Sequence, residues 1–193
     1  EQLNKLRTLM AQHHIDAYVI STSDFHESEY VGEHFGCRTF ITGFTGSAGT
    51  AVVTAKEAGL WTDGRYFVQA AKELEGSGFE LHKMGQEDVL TVEEYLAKML
   101  PQGGVLGFDG RVVNGQLGKV LKDKLEDKQV NFSCEEDLVG QIWEDRPNLP
   151  ARPVWILEEK YAGKSAIQKI AELRESMKKV KATVHILTTL DDI

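Results

Sequence analysis

Hydrophobic residues recur along the chain with two periods, which predict helices that alternate with strands. Leu3, Leu6, Leu9 and Met10 are spaced like the buried face of an amphipathic helix, and the apolar run 17–20 is typical of a buried strand. The same patterns predict strands at 39–42, 50–54, 60–62, 79–82, 105–108 and 130–134, and helices at 66–74, 91–100, 117–125 and 138–143. About six strands among helices indicate an α/β domain with a mixed β-sheet flanked by helices.

Two local signals refine this prediction. Asp24 followed by Glu27 is a D-x-x-E pattern, which predicts another helix start. The runs 39–42, 50–54 and 60–62 lie so close in sequence that they predict an antiparallel meander within the sheet.

A proline-rich stretch divides the chain. Three of the four prolines lie within 147–153, which excludes a helix interior or a central strand there and predicts a stiff linker. The formal charge is −10 for residues 1–146, which hold 14 basic and 24 acidic side chains, and +2 for residues 147–193. We therefore predict a first domain at 1–146, a linker at 147–153 and a further segment at 154–193.

The further segment repeats the order of elements that begins the first domain. A strand is predicted at 154–157, a helix from 165 and a strand at 183–187, followed by the Thr- and Asp-containing run 188–192. We interpret 154–193 as the truncated start of a second, similar domain, and the sequence as a piece of a longer chain. One helix and two strands bury little core, so the segment is expected to dock on the first domain, to swap between chains or to be partly disordered.

Composition narrows the classes of function. The 193 residues carry a net charge of −8, which argues against a general nucleic-acid binder because such a protein needs a basic face. No apolar run approaches the roughly 18 residues that a membrane span requires. Cys37 and Cys134 are too few for a disulfide framework, so a cytoplasmic protein is expected.

The glycine-rich stretch 43–50 has three interpretations. A phosphate-binding loop has other glycine spacings and opens a helix, whereas here the glycines run GxxGxxG before a β-rich segment. A nucleophile elbow requires G-x-S-x-G, and Thr45 stands at the first glycine position. The favoured interpretation is a tight turn between two strands, in which glycines supply positive φ.

The acidic stretch 24–29 contains a histidine. On a helix, His26 and Glu29 would share one face and offer two metal ligands. A zinc or manganese site takes three or four protein ligands, and neither H-x-x-x-H nor H-E-x-x-H occurs. A capped helix with a solvated acidic face is the simpler interpretation, and no metal ligand is predicted in this chain.

The stretch 61–67 carries the most specific chemistry. A strand ends at Trp61, Asp63 forms a turn and Arg65 opens a helix, at the kind of junction where α/β folds place ligands. Arg65 suits bidentate contact with a carboxylate, and Trp61 and Tyr66 supply flat apolar surface. The alternative is that Asp63 caps the helix, that Trp61 lies in the core and that Arg65 pairs with Asp63 or with a surface acid. Since no catalytic set stands out, the residues predict binding, positioning or oligomerisation.

Longer blocks resemble the N-terminal domain of cytosolic Xaa-Pro aminopeptidases, also called aminopeptidase P. The similar blocks occur in order over nearly the whole chain, at 24–30, 38–51, 60–71, 83–85, 142–147 and 188–193. The resemblance implies a creatinase/prolidase N-terminal domain with a ribonuclease H-like motif. It also implies that the chain is the first of three parts of such an enzyme plus the opening of the second.

Enzymes of this family remove an N-terminal residue that precedes proline. The resemblance implies two metal ions, usually manganese, bound by two Asp, one His and two Glu of a C-terminal domain. It therefore implies no catalytic residue, metal ligand or cofactor in this chain, which alone is expected to be inactive.

The resemblance also assigns roles to this part of the enzyme. It implies that Arg65 contacts the peptide substrate, with Trp61, Asp63, Tyr66 and His26 as candidate further contacts. It further implies a homodimer in which the N-terminal domain takes part. The alternative is a free-standing module that binds a small anion or a peptide through the glycine-rich stretch and Arg65.

Overall fold

The computed structural model describes residues 1–190, which fall into two compact units. The first unit is Glu1–Pro147 and the second begins at Asn148. All six strands of the β-sheet belong to the first unit.

The sheet of the first unit is mixed, as predicted. Its strands are β1 (Ala17–Ser21), β2 (Thr50–Thr54), β3 (Ala58–Thr62), β4 (Glu80–Lys83), β5 (Val105–Phe108) and β6 (Asn131–Ser133). They lie in the order β4-β3-β2-β1-β5-β6. β2 is antiparallel to its neighbours β1 and β3, whereas the pairs β1–β5, β3–β4 and β5–β6 are parallel. The predicted α/β class is thereby confirmed.

Helices cover both faces of this sheet. They are α1 (Gln2–Gln12), α2 (Cys37–Thr42), α3 (Phe67–Glu73), α4 (Val92–Met99), α5 (Gly115–Leu125) and α6 (Leu138–Ile142). Successive side chains of a strand point to opposite faces. Tyr18 and Ile20 of β1 accordingly join the core cluster of α1, α2, α3 and α6, while Ala17 and Val19 join the cluster of α4 and α5. The sheet is thus the middle of three layers.

The predicted strand at 39–42 is wrong, because these residues belong to α2. The β-branched residues there favour a strand locally, but burial of Arg38, Ile41 and Thr42 on one helical face overrides that preference. Gly43 ends the helix with φ 78°, a left-handed conformation suited to glycine. The predicted meander therefore reduces to the β2–β3 hairpin, and the glycine-rich stretch 43–50 connects a helix, not a strand, to β2.

The helix predicted at Asp24 is also wrong. The Asp24 Oδ1 atom accepts hydrogen bonds from the backbone N–H groups of His26 and Ser28 at 2.9 and 3.0 Å, as an N-cap would. Glu27, however, has φ 56°, and this left-handed conformation turns the chain away from a helix. His26 and Glu29 therefore do not share a helical face.

Within residues 148–190, the second unit forms two helices, α7 (Glu159–Ala162) and α8 (Ala166–Lys179). The helix predicted from 165 is confirmed as α8, and it starts with a capping box in which Ser165 accepts from the Gln168 backbone N–H. The predicted strands at 154–157 and 183–187 are wrong, because neither segment pairs with a strand among the described residues. An extended segment gains its stability from ladder hydrogen bonds to a neighbour. The end of the predicted run 188–192 lies outside the described residues.

The carboxyl ends of several strands meet along one end of the sheet in the first unit. Because β2 alone runs opposite to the other five strands, the carboxyl ends of β1, β3 and β5 meet at the edge where β2 begins. We call this the carboxyl edge. The chain segments 22–24, 45–49, 63–66 and 109–111 lie there, directly beyond the strand ends.

Candidate functional site

Asp63 and Arg65 form a bidentate ion pair at the carboxyl edge. Arg65 donates from Nε to Asp63 Oδ1 and from Nη2 to Asp63 Oδ2, each at 2.8 Å, and its backbone N–H donates to Oδ1 at 3.0 Å. These bonds from Arg65 hold the pKa of Asp63 down at about 2. The predicted alternative that the two residues pair is correct. The predicted helix start at Arg65 is shifted, because 63–66 form a turn and α3 begins at Phe67.

The ion pair fixes the guanidinium without using all of its donors. Asp63 occupies the Nε–Nη2 side, while Nη1 makes no hydrogen bond to any residue within 1–190. The Arg65 side chain is 68% exposed. The Nη1–Nη2 side is therefore directed by the ion pair and open to a further carbonyl or carboxylate acceptor.

Tyr66 connects Arg65 to the glycine-rich stretch. The Arg65 guanidinium lies 5.2 Å from the centre of the Tyr66 ring, and the Tyr66 hydroxyl is 2.6 Å from Ser47 Oγ. The ring also packs edge-on against Phe44, with centroids 5.8 Å apart. Arg65 and Ser47, which are exposed, and Tyr66, which is half-buried, therefore form one continuous surface at the carboxyl edge.

Trp61 and His26 do not belong to this surface, because Trp61 is buried in the core and His26 lies in a different turn. Trp61 is fully buried in β3, donates from Nε1 to the Leu90 carbonyl oxygen at 2.8 Å and stacks on His82 with centroids 3.9 Å apart. His26 is exposed in the turn that follows β1. Trp61 thus lies in the core, as the alternative interpretation predicts. Among residues 1–190, no group of three or more His, Cys, Asp and Glu side chains is placed to hold a metal ion.

Arg38 is a structural residue whose role the sequence patterns did not predict. Its side chain is buried, with the residue 3% exposed, and burial lowers its pKa to about 10. Nε donates to Thr22 Oγ1 at 2.9 Å, Nη1 to the Phe44 carbonyl oxygen at 2.6 Å and Nη2 to the Gly46 carbonyl oxygen. The arginine therefore fastens the glycine-rich stretch to the end of β1. The sequence holds one signal of this buried role, which is a single charged residue within the otherwise apolar and small run 37–42.

A second Asp-Gly-Arg turn lies at the same edge and was also not predicted. Arg111 repeats the three hydrogen bonds of Arg65, donating to the Asp109 carboxylate from its backbone, Nε and Nη2 at 2.9–3.0 Å. It differs in one respect, because Nη2 also reaches Asp137 at 3.3 Å. The repeated tripeptide in the sequence was sufficient to reveal it. Arg111 has less free hydrogen-bonding capacity than Arg65.

An open cleft of about 550 Å³ lies beside this edge. Its walls are the segment 29–36, the exposed side of α2, residues 45–47 and the end of α6. Ser47 lines the cleft and connects it through Tyr66 to Arg65. We refer to it as the aromatic cleft, after Tyr30, Phe35, Phe40 and Trp143.

Comparisons with known protein families agree with this architecture. Residues 2–138 match the model of the creatinase/prolidase N-terminal domain, and residues 145–193 match a second model of the same description. Over the full chain, probable Xaa-Pro aminopeptidases P from Pyricularia oryzae and Laccaria bicolor are 42% and 43% identical. The chain spans about a third of the length of these relatives, 32% and 30% respectively.

Comparison with solved structures indicates the same family. An X-prolyl aminopeptidase from Caenorhabditis elegans, described as a cytosolic enzyme with a di-nuclear active site, superposes with a TM-score of 0.83 at 36% identity, covering 93% of this chain and 31% of that one. The N-terminal domain of the cytoplasmic peptidase PepQ from Mycobacterium tuberculosis gives a TM-score of 0.52 at 28% identity, covering 72% of this chain and 96% of that one. The resemblance inferred from the sequence blocks is confirmed. None of the described helices is long and apolar enough to cross a membrane.

Proposed function

Because the chain belongs to the creatinase/prolidase N-terminal domain family, we propose that it is the non-catalytic N-terminal part of a metal-dependent Xaa-Pro aminopeptidase and that it positions the peptide substrate. Relatives of that name, at about 40% identity over the full chain, support this proposal. The reaction is the hydrolytic removal of an N-terminal residue that precedes proline.

The open side of the Arg65 guanidinium is the observation that carries the positioning role. A peptide backbone offers carbonyl oxygens and a terminal carboxylate, and both accept from the Nη1–Nη2 side of an arginine. Asp63 supports this contact by holding Arg65 in one orientation, so less side-chain entropy is lost when a peptide binds. Tyr66 supplies a flat apolar surface beside it.

The metal chemistry belongs, in this proposal, to a part of the enzyme outside this chain. A pair of divalent ions, manganese in our proposal, supplies Lewis-acid activation of the scissile carbonyl. The residues described here do not fit such a site, since they place no group of three potential ligands together. This chain alone is therefore expected to bind peptide without cleaving it.

Four further features complete the proposal. Residues 147–153 are a linker, and 154–193 are the start of a second, similar domain, consistent with the match of 145–193 to the second family model. The enzyme is a homodimer. It is cytoplasmic, as the similar enzyme from Caenorhabditis elegans is described to be.

Kinetics of the complete enzyme test the role of Arg65. With Mn²⁺ and an Ala-Pro-Ala substrate, Arg65→Ala is expected to lower kcat/KM by about 10- to 100-fold, because a charge-assisted hydrogen bond to a peptide contributes roughly 1.5–3 kcal/mol. Arg111→Ala is the matched control, since it removes an arginine from the same kind of turn.

Two results decide between the positioning role and the alternative of a module that binds a small anion. Equal kcat/KM values for the Arg65 and Arg111 variants would overturn the positioning role. If phosphate stabilises the protein against heat and Arg65→Ala abolishes that effect, the small-anion module is favoured instead.

A further inference from the structure

The aromatic cleft is already formed and well braced. Phe40 and Trp143 stack face to face in its wall, with centroids 4.7 Å apart and planes 12° from parallel. Arg146 Nε donates to the His34 carbonyl oxygen at 2.8 Å, and His34 Nδ1 lies 2.7 Å from the Pro147 carbonyl oxygen. Since these contacts fix the walls, a ligand entering the cleft need not order them, which lowers the cost of binding.

The volume and exposure of the cleft are those of a ligand site. Its volume of about 550 Å³ lies within the range of roughly 300–1,000 Å³ typical of binding clefts. Tyr30, on its rim, is 86% exposed and makes no aromatic contact with any residue up to Leu190. A large aromatic ring held in water beside other aromatic rings is characteristic of recognition surfaces.

Charge gives the cleft a preference for cations. The charged residues that line it are Glu29, Glu33 and Arg38. Arg38 is buried, and all three of its guanidinium nitrogens donate within the protein. Arg146, beside Trp143, is paired with Asp137 at 2.6 Å. Arg38 keeps its charge, so one arginine and two glutamates give the lining a net formal charge of −1. Because Glu29 and Glu33 are exposed and Arg38 is buried, the charge that faces solvent is negative and attracts a positively charged ligand.

Aromatic lining favours a particular peptide conformation. Proline-containing segments adopt the extended polyproline II helix in advance and dock into grooves lined by aromatic rings. Arginine side chains also stack on such rings. A basic, proline-containing peptide therefore matches the cleft in shape, apolar character and charge.

The cleft is also continuous with the residue proposed to contact the substrate. Ser47 forms part of its lining, its Oγ is 2.6 Å from the Tyr66 hydroxyl, and the Tyr66 ring lies beneath Arg65. We propose that the aromatic cleft binds the residues of a basic peptide substrate that follow its N-terminal Xaa-Pro pair, so that it selects longer peptides. This inference rests on the proposed function.

Direct binding to the 193-residue chain is the first test. The probe is the fluorescently labelled peptide Ala-Pro-Pro-Arg-Pro-Arg, with fluorescence anisotropy as the readout. We expect it to bind at least tenfold more tightly than versions with Glu in place of Arg or Ala in place of Pro. Tyr30→Ala and Glu33→Gln are each expected to weaken binding by about five- to tenfold.

Matched controls use exposed residues of the same types elsewhere. Tyr161→Ala and Glu87→Gln remove a tyrosine and a glutamate that do not line the cleft and should leave binding unchanged. Equal binding of the basic and acidic peptides, no binding at millimolar concentration, or an equal loss in the control variants would overturn the proposal. So would a shift of the chain from dimer to monomer on Tyr30→Ala, because the cleft would then be an interface between copies.

Kinetics of the complete enzyme separate this inference from the proposed function. Tyr30→Ala should raise KM about tenfold for Ala-Pro-Pro-Arg-Pro-Arg, leaving kcat for it and all constants for Ala-Pro-Ala unchanged. An equal effect on both substrates would overturn the cleft proposal while leaving the aminopeptidase assignment intact. Absence of any Xaa-Pro cleavage would instead overturn the proposed function, and peptide binding to the cleft would still be judged by anisotropy.

Discussion

The buried guanidinium of Arg38 donates from Nη1 to the carbonyl oxygen of Phe44 at 2.6 Å, across the turn that ends α2. Together with the bonds to Thr22 and Gly46, this contact makes one side chain hold the glycine-rich stretch to the segment that follows β1. No carboxylate is hydrogen bonded to Arg38 among the described residues, so backbone and hydroxyl oxygens accept its hydrogen bonds. The charge of the Glu73 carboxylate also favours the protonated guanidinium and opposes the lowering of its pKa by burial. The geometry of the glycine-rich stretch therefore depends on an arginine that precedes it in sequence.

Replacement of Arg38 should destabilise the first unit strongly. Arg38→Met keeps the apolar stem but leaves the buried carbonyl oxygens of Phe44 and Gly46 without their donor. We expect the free energy of unfolding to fall by about 3 kcal/mol, since hydrogen bonds to charged groups contribute roughly 1.5–3 kcal/mol each and losses overlap. Urea denaturation followed by circular dichroism measures it. The exposed Arg174→Met is the control, and a loss below about 1 kcal/mol for Arg38→Met would contradict the structural role.

Gly46 should not tolerate even a methyl group. A Cβ atom there would lie 2.8 Å from Tyr66 Cδ1 and would also clash with the Phe44 ring. Gly46→Ala should therefore lower the free energy of unfolding by about 1–3 kcal/mol, as overpacking does. Gly118→Ala in the interior of α5 is the matched control, because a Cβ there meets nothing within 4 Å beyond its adjacent residues and its own helix backbone, and alanine favours a helix by up to about 1 kcal/mol. Thermal melting should show opposite shifts of Tm, and shifts of equal sign would contradict the packing described for Gly46.

The two cysteines should differ widely in reactivity. Burial raises the pKa of Cys37 to about 12, whereas Cys134 is exposed. Only the thiolate is nucleophilic, so at pH 8 Cys37 is almost entirely in its unreactive protonated form. Reaction with Ellman's reagent should therefore show one fast thiol and one slow thiol. Cys134→Ser should abolish the fast phase and Cys37→Ser should leave it unchanged, and the reverse assignment would contradict the burial of Cys37.

Much of the fold follows from local patterns, and the failures have definable physical causes. The strands β1, β2 and β3 and the helix α4 were predictable because their apolar spacing agrees with the tertiary environment. The residues of α2 were not, because burial of Arg38 beside Ile41 depends on contacts with the distant residue Thr22 and with Phe44 that no window of sequence shows.

The candidate site likewise combines a local contact, which the sequence predicts, with distant contacts, which it does not. The pairing of Asp63 with Arg65 is local, spanning two residues, and was therefore predictable as an alternative. The aromatic cleft joins Tyr30 to Trp143 across more than a hundred residues of sequence. Hydrophobic periodicity predicts which helix or strand such a side chain belongs to, but not which distant side chains it meets in the fold. The cleft could therefore not be predicted from the sequence.

The ion pair at the carboxyl edge should have a clear titration signature. Hydrogen bonds from Arg65 lower the pKa of Asp63 from its ordinary value of 3.8 to about 2. A carboxyl whose pKa is depressed in the folded state adds stability that is present above its ordinary pKa and is lost as the pH falls towards the folded value. The ion pair should therefore persist at neutral pH and weaken between about pH 4 and pH 2. NMR titration of the Asp63 side-chain carbon should give a midpoint near 2, which Arg65→Ala should move back towards 3.8, while the same substitution at Arg111 should leave it unchanged. A midpoint near 3.8 in the unsubstituted protein would show that Asp63 does not hold Arg65, and the orientation on which the peptide contact depends would then be lost.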